Sequence, residues 1–138
     1  MLAKETFHRR ALERDFKFCQ AVRCDRWVFI SGCISWDDSG TVKDPGNWDA
    51  QVANVYGELK ETLEHFGLTF SDVVKETVYC RDMEAMVAAA PVRAKIIGDA
   101  QPFAATWVEI SRLVDRGLLL EVEMTAFGGE PPGGVKAA

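Results

Sequence analysis

Two glutamates separated by a single valine, Glu121 and Glu123, stand in the otherwise apolar run LLLEVEMTAF. Side chains alternate along a strand, so both carboxylates fall on one face, with Leu119, Thr125 and Phe127, while Leu118, Leu120, Val122, Met124 and Ala126 take the other. Two carboxylates in one pocket repel. One of them is then held above the ordinary range, where it can orient water and exchange a proton near neutral pH. The alternative is an ion pair with arginine across an interface, and for Glu123 that is the preferred reading. A second candidate is Ser31-Gly32-Cys33, where glycine allows a bulge or a close backbone approach. The four cysteines, Cys19, Cys24, Cys33 and Cys80, form no CxxC pair and no zinc spacing, so no metal is expected. They read as small buried apolar residues of a reducing compartment.

These residues need strands to align them and helices to cover the sheet. Residues 16–23 and 26–34 read as strands joined by a hairpin turn at Cys24-Asp25. The clearest helix spans 47–66. Its apolar positions Trp48, Val52, Val55, Tyr56, Leu59, Leu63 and Phe66 recur every three or four residues, with Asn47 as N-cap and Gly67 as C-terminal cap. His65 falls off that stripe and reads as solvent-facing. Residues 72–81 form a strand with Val74, Glu76, Val78 and Cys80 on one face. A helical stretch follows Asp82, with a kink or restart expected at Pro91. Strands at 104–111 and 117–127 complete an α+β domain over 1–128, a sheet with two helices on one face. Residues 129–138 read as a Gly/Pro-rich flexible tail. The mixed face of the last strand suits an interface or a pocket, and so a homo-oligomer.

Composition narrows the partners. Of 138 residues, 48% are hydrophobic and 27% charged, the balance of an ordinary globular chain, and one domain accounts for the length. The net charge of −5 argues against nucleic acid as the main partner. His8, Arg9 and Arg10 are interleaved with Glu5, Glu13 and Asp15, and read as a solvated mixed-charge segment. No apolar run has the length of a membrane span and no signal-peptide core is visible, so a cytoplasmic location without membrane association is expected.

The segments FISGCIS, GLTFSDVVKETVYCRDME, ATWVEISRL and LLEVEMTAF follow one another in an order and spacing that resemble the Rid (reactive intermediate deaminase, YjgF) superfamily, from about Phe16 to Phe127. The resemblance implies a chorismate-mutase-like α+β fold and a homotrimer with three clefts between subunits. It also implies hydrolysis of enamines and imines to ketoacids and ammonia, with no metal or cofactor. On this alignment Glu121 matches the glutamate that holds the attacking water, and Ser31, Gly32 and Cys33 match the strand whose backbone approaches the substrate.

The other positions of the resemblance differ. In deaminating members an arginine of a Pro-Ala-Arg-Ser/Thr motif grips the substrate carboxylate. Here the aligned residues are Phe103, Ala104, Ala105 and Thr106, so the guanidinium is absent at Ala105. Trp107 stands where cysteine is frequent, Phe18 where a tyrosine is found, Ala90 for an asparagine and Arg93 near a second tyrosine. Phe18, Trp107 and Trp36 would make the cleft apolar and aromatic, suited to a ring or hydrophobic body rather than a small 2-imino acid, unless they only fill space. The expected function is a cofactor-independent hydrolase or deaminase, or a tautomerase-like enzyme. It would act on a reactive imine, enamine or related small molecule bound between subunits by Phe18, Ser31, Gly32, Cys33, Arg93, Ala105, Thr106 and Trp107. The alternative is a non-catalytic trimer that binds a ligand or another protein. Nuclease activity fits the acidic balance least.

Overall fold

The computed structural model describes residues 3–130. Six strands form one sheet in the order β1-β2-β3-β6-β4-β5: β1 Lys4–Phe7, β2 Ala21–Cys24, β3 Trp27–Cys33, β4 Val73–Cys80, β5 Ala104–Glu109 and β6 Leu120–Phe127. Only the β4–β5 pair is parallel; the crossover between them carries a helix. The helices are α1 Leu12–Asp15, a single turn, α2 Trp48–His65 and α3 Met83–Ile97.

The α2 stripe forms the centre of the core. Val52, Val55, Tyr56, Leu59 and Leu63 are fully buried against the core face of β6, whose Leu120, Val122, Met124 and Ala126 are the residues the alternation assigns to it. Both ends of α2 are capped where the sequence indicates. Asn47 Oδ1 accepts from Ala50 N at 3.0 Å. Gly67, at φ 72°, closes a Schellman motif in which Leu68 N donates to Leu63 O and Gly67 N to Glu64 O, both at 2.9 Å. The helix α3 starts at Asp82, whose carboxylate caps Ala85 N, and contributes Met86 and Ala89 to the same core. Both long helices therefore cover one face of a mixed sheet, and neither lies on the opposite face.

Five expectations change. The N-terminal segment is structured: β1 pairs with β2, and Arg10 is buried, bound to the Glu58 carboxylate and to the carbonyls of Trp36 and Asp37. Glu13, also buried, accepts from the backbone N–H groups of Arg9 and Arg10. Charge alternation alone cannot separate such a paired segment from a solvated one. The first expected strand begins later, at Ala21, because residues 16–18 cap α1: Lys17 N donates to Arg14 O and Phe18 N to Glu13 O. The following turn lies at Asp25-Arg26, since Cys24 pairs directly with Trp27. In β4, a register shift between Val73 and Lys75 moves Val74 out of the core, leaving Glu76, Val78 and Cys80 inside. Pro91 neither breaks nor restarts α3, which runs through it. His65 is exposed as expected, though its ring stacks on Phe7 with centroids 4.0 Å apart. Of the tail over 129–138, residues 131–138 lie outside the described residues.

Candidate functional site

The pairing of β3 with β6 contains the irregularity that builds the site. Ile30 pairs with Met124 and Cys33 with Val122, so Ser31 and Gly32 together stand opposite Glu123 alone. This is a bulge, and bulges re-aim the chain locally. Ser31 anchors it: its N–H donates to Gln20 O at 2.8 Å and its hydroxyl to Cys19 O at 2.6 Å. Gly32 is brought beside Glu121 so closely that an added Cβ would lie 2.6 Å from the carboxyl carbon and 2.8 Å from Cγ. Any side chain at 32 would displace the carboxylate. Glycine lets the carboxylate hold this position through close approach rather than through a positive φ.

Glu121 lies on the wall of a pocket of about 380 Å³ on the sheet face away from α2 and α3. Phe16, Phe18, Ile34, Trp36 and Val114 supply its apolar surface, and Gln20, Ser31, Gly32 and Glu121 its polar edge. The volume is in the range of small-molecule sites, and few polar groups converge on an apolar body. Burial, and then the nearby charge of Glu123, push the Glu121 carboxyl above the usual carboxylate range. Glu123 accepts from the Tyr79 hydroxyl at 2.6 Å, and that bond, with burial and the two glutamates, pushes Tyr79 upward as well. Tyr79 is the register partner of Glu121 on β4. Its place between the buried Val78 and Cys80 was the available signal for a side chain on the Glu121 face. Val114 and Phe16, in irregular segments, gave no comparable signal.

Of the residues singled out in the sequence, Phe18, Ser31, Gly32, Trp36 and Glu121 meet in this pocket. The others lie elsewhere. Cys33, one residue past the bulge, is buried in the core, with its sulfur accepting from the Gln20 amide at 3.1 Å. Burial, reinforced by the negative Glu58, pushes its thiol strongly upward, which disfavours a reactive thiolate. Thr106, on edge strand β5, accepts from the Lys75 ammonium.

Arg93 and Trp107 meet at Glu76. Glu76 is fully buried and accepts from Tyr56 Oη at 2.6 Å, Arg93 Nη2 at 2.9 Å and Trp107 Nε1 at 3.0 Å. The Arg93 guanidinium also lies 5.5–5.6 Å from the ring centres of Tyr56, Phe103 and Trp107. Ala105 is the register partner of Glu76. The guanidinium on this side of β5 is that of Arg93 from α3, bound to the Glu76 carboxylate.

The profile of a family described as endoribonuclease L-PSP matches residues 9–127. A RutC family protein of Pyrococcus horikoshii is 33% identical over 110 residues, 80% of this chain and 86% of its own. The 2-iminobutanoate/2-iminopropanoate deaminase of Mus musculus is 30% identical over 112 residues, 81% of this chain and 82% of its own. In fold, the chain superposes on a YjgF/YER057c/UK114 family member from Mycobacterium tuberculosis with a TM-score of 0.76 at 24% identity, covering 91% of this chain and all of the other. The sheet order, the two helices on one face and these matches together place the chain in the Rid (YjgF/YER057c/UK114) superfamily.

Proposed function

We propose that the protein is a cofactor-independent imine or enamine hydrolase whose substrate has an apolar or aromatic body, acting as a homotrimer with the Glu121 pocket opening to the cleft between subunits. The observation that carries this reading is the half-buried Glu121 carboxylate, held over the bare backbone of Gly32 at the edge of an aromatic pocket. Its mouse relative bears the name of an imine deaminase.

In the proposed reaction Glu121 holds a water and takes its proton as the oxygen attacks the carbon of a protonated C=N bond. A carbinolamine forms. Glu121 then returns the proton to nitrogen. As the C–N bond breaks with its electron pair going to nitrogen, the hydroxyl oxygen closes the C=O bond and gives its proton back to the Glu121 carboxylate, which passes it to the departing ammonia, so a carbonyl compound and ammonium leave. A carboxyl group held above its usual range serves both steps, since it accepts a proton more readily and can still release it near neutral pH. Neither Ala105 nor a glutamate-bound Arg93 supplies a free guanidinium for a carboxylate next to the reacting carbon.

The test is a substrate panel in which imines are generated in situ by amine or amino-acid oxidases. Hydrolysis of the carboxylate-free imine from benzylamine is expected to be accelerated well above its spontaneous rate, while 2-iminopropanoate is hardly affected. Full acceleration of 2-iminopropanoate without effect on the benzylamine product would reverse the substrate assignment. No acceleration of any imine would favour the non-catalytic reading.

A further inference from the structure

A second pocket adjoins the first, and its chemistry is opposite. It measures about 340 Å³ and is edged by Lys4, Thr6, His8, Arg14, Lys17 and Cys19, with Phe18 shared between the two. The arrangement follows from the local fold. Alternation along β1 and just past its end puts Lys4, Thr6 and His8 on one side, with Glu5 turned the other way opposite Arg23. The single turn α1 contributes Arg14, and the residue after its cap contributes Lys17.

Two observations set this cluster apart. Arg9, Arg10 and Arg93 sit against glutamates; Lys4, Arg14 and Lys17, like most other cations of the described residues, form no ion pair, but these three converge on one cavity, with His8 beside them. Positive charge is therefore uncompensated here in a chain whose net charge is −5. Lys17 also has φ 64°, at the left-handed cap position where glycine costs least. A lysine at such a position incurs backbone strain that glycine would avoid, and its side chain faces the pocket.

We infer that this pocket is an anion subsite for the substrate of the Glu121 pocket: it takes a carboxylate or phosphate carried away from the reacting carbon, with the apolar body crossing Phe18. The inference rests on the proposed reading of that pocket. It gives the substrate class a polarity, with the reactive C=N at Glu121 and the anionic end at Lys4, Arg14 and Lys17.

Binding of phenyl phosphate, phenylacetate and benzyl alcohol, followed by calorimetry on the wild type and on an Arg14→Gln/Lys17→Gly variant, tests it. The glycine relieves the positive φ, so the variant should fold at least as well as the wild type, and a melting curve checks this. Phenyl phosphate or phenylacetate is expected to bind about tenfold or more tightly than benzyl alcohol. That advantage should shrink with added salt and vanish in the variant, with benzyl alcohol unaffected. The stronger of the two anions tells phosphate from carboxylate. Equal binding of charged and neutral probes, an advantage that survives in the variant, or no binding at all would overturn the subsite. Anion binding that depends on Arg14 and Lys17 without any benzyl alcohol binding would keep the subsite and overturn the apolar reading of the Glu121 pocket.

Discussion

Glu121 sits where a carboxylate is costly to ionise. Burial and the neighbouring Glu123 both favour its protonated form, so its value in the folded protein lies above the ordinary 4.5. The folded state therefore binds this proton more tightly than the unfolded chain. The stability it contributes is fully present below about pH 4.5 and is lost as pH rises through the raised folded value. Glu121→Gln removes that pH-dependent loss. The variant is expected to melt at or above the wild-type temperature at pH 8, and the difference between the two should narrow towards pH 4. A variant that melted well below wild type at pH 8, with the gap closing on acidification, would mean that Glu121 is an ion-paired structural carboxylate. Glu123, which receives the Tyr79 hydroxyl, is the partner that sustains the repulsion.

Among the elements, α3, β4 and β5 are tied together by one buried carboxylate. Glu76 from β4 receives donors from α2 (Tyr56), α3 (Arg93) and β5 (Trp107). Removing Arg93 leaves a fully buried charge with only neutral donors. Arg93→Ala is expected to destabilise by about 3–5 kcal/mol, and a second change, Glu76→Gln, should recover a large part of that. Denaturant unfolding of the single and double variants measures it; an equal loss in both would show that Arg93 acts by packing alone.

Elements with strong periodicity were legible in the sequence. The α2 stripe, its two caps and the core face of β6 follow from spacing and from residues with one dominant local role, Asn47 and Gly67. Glu121 and Gly32 were legible as separate candidates, but the bulge that makes them neighbours depends on strand register, which a single strand does not encode. Arg93 and Trp107 point away from the Glu121 pocket for a related reason: their common partner Glu76 looks, in sequence, like one more residue of an apolar strand face. The buried N-terminal ion pairs were hidden because Glu58, the partner of Arg10, lies 48 residues away.

At the scale of the whole molecule, the sheet face opposite the helices carries an aromatic cluster in which Trp27, Phe29 and Phe127 are 40%, 49% and 38% exposed. Trp27 packs against Phe127 with ring centres 4.8 Å apart. A cluster of this kind on a single chain suits an interface between copies. Sedimentation is expected to give a mass near three times 15.3 kDa, and Trp27→Glu with Phe29→Glu should shift it towards the monomer. A wild-type monomer at micromolar concentration would remove the inter-subunit cleft from the account.

In the proposed reaction one carboxylate, placed by a bulge beside a bare glycine, performs the chemistry. Its most direct test is the turnover of the benzylamine-derived imine by Glu121→Gln, measured beside wild type on samples with matching sedimentation and melting. Glutamine preserves size and hydrogen bonding but cannot accept the proton of the attacking water. The account predicts a fall in turnover of about 10²–10⁴ with oligomeric state unchanged. Wild-type turnover by the variant would contradict it.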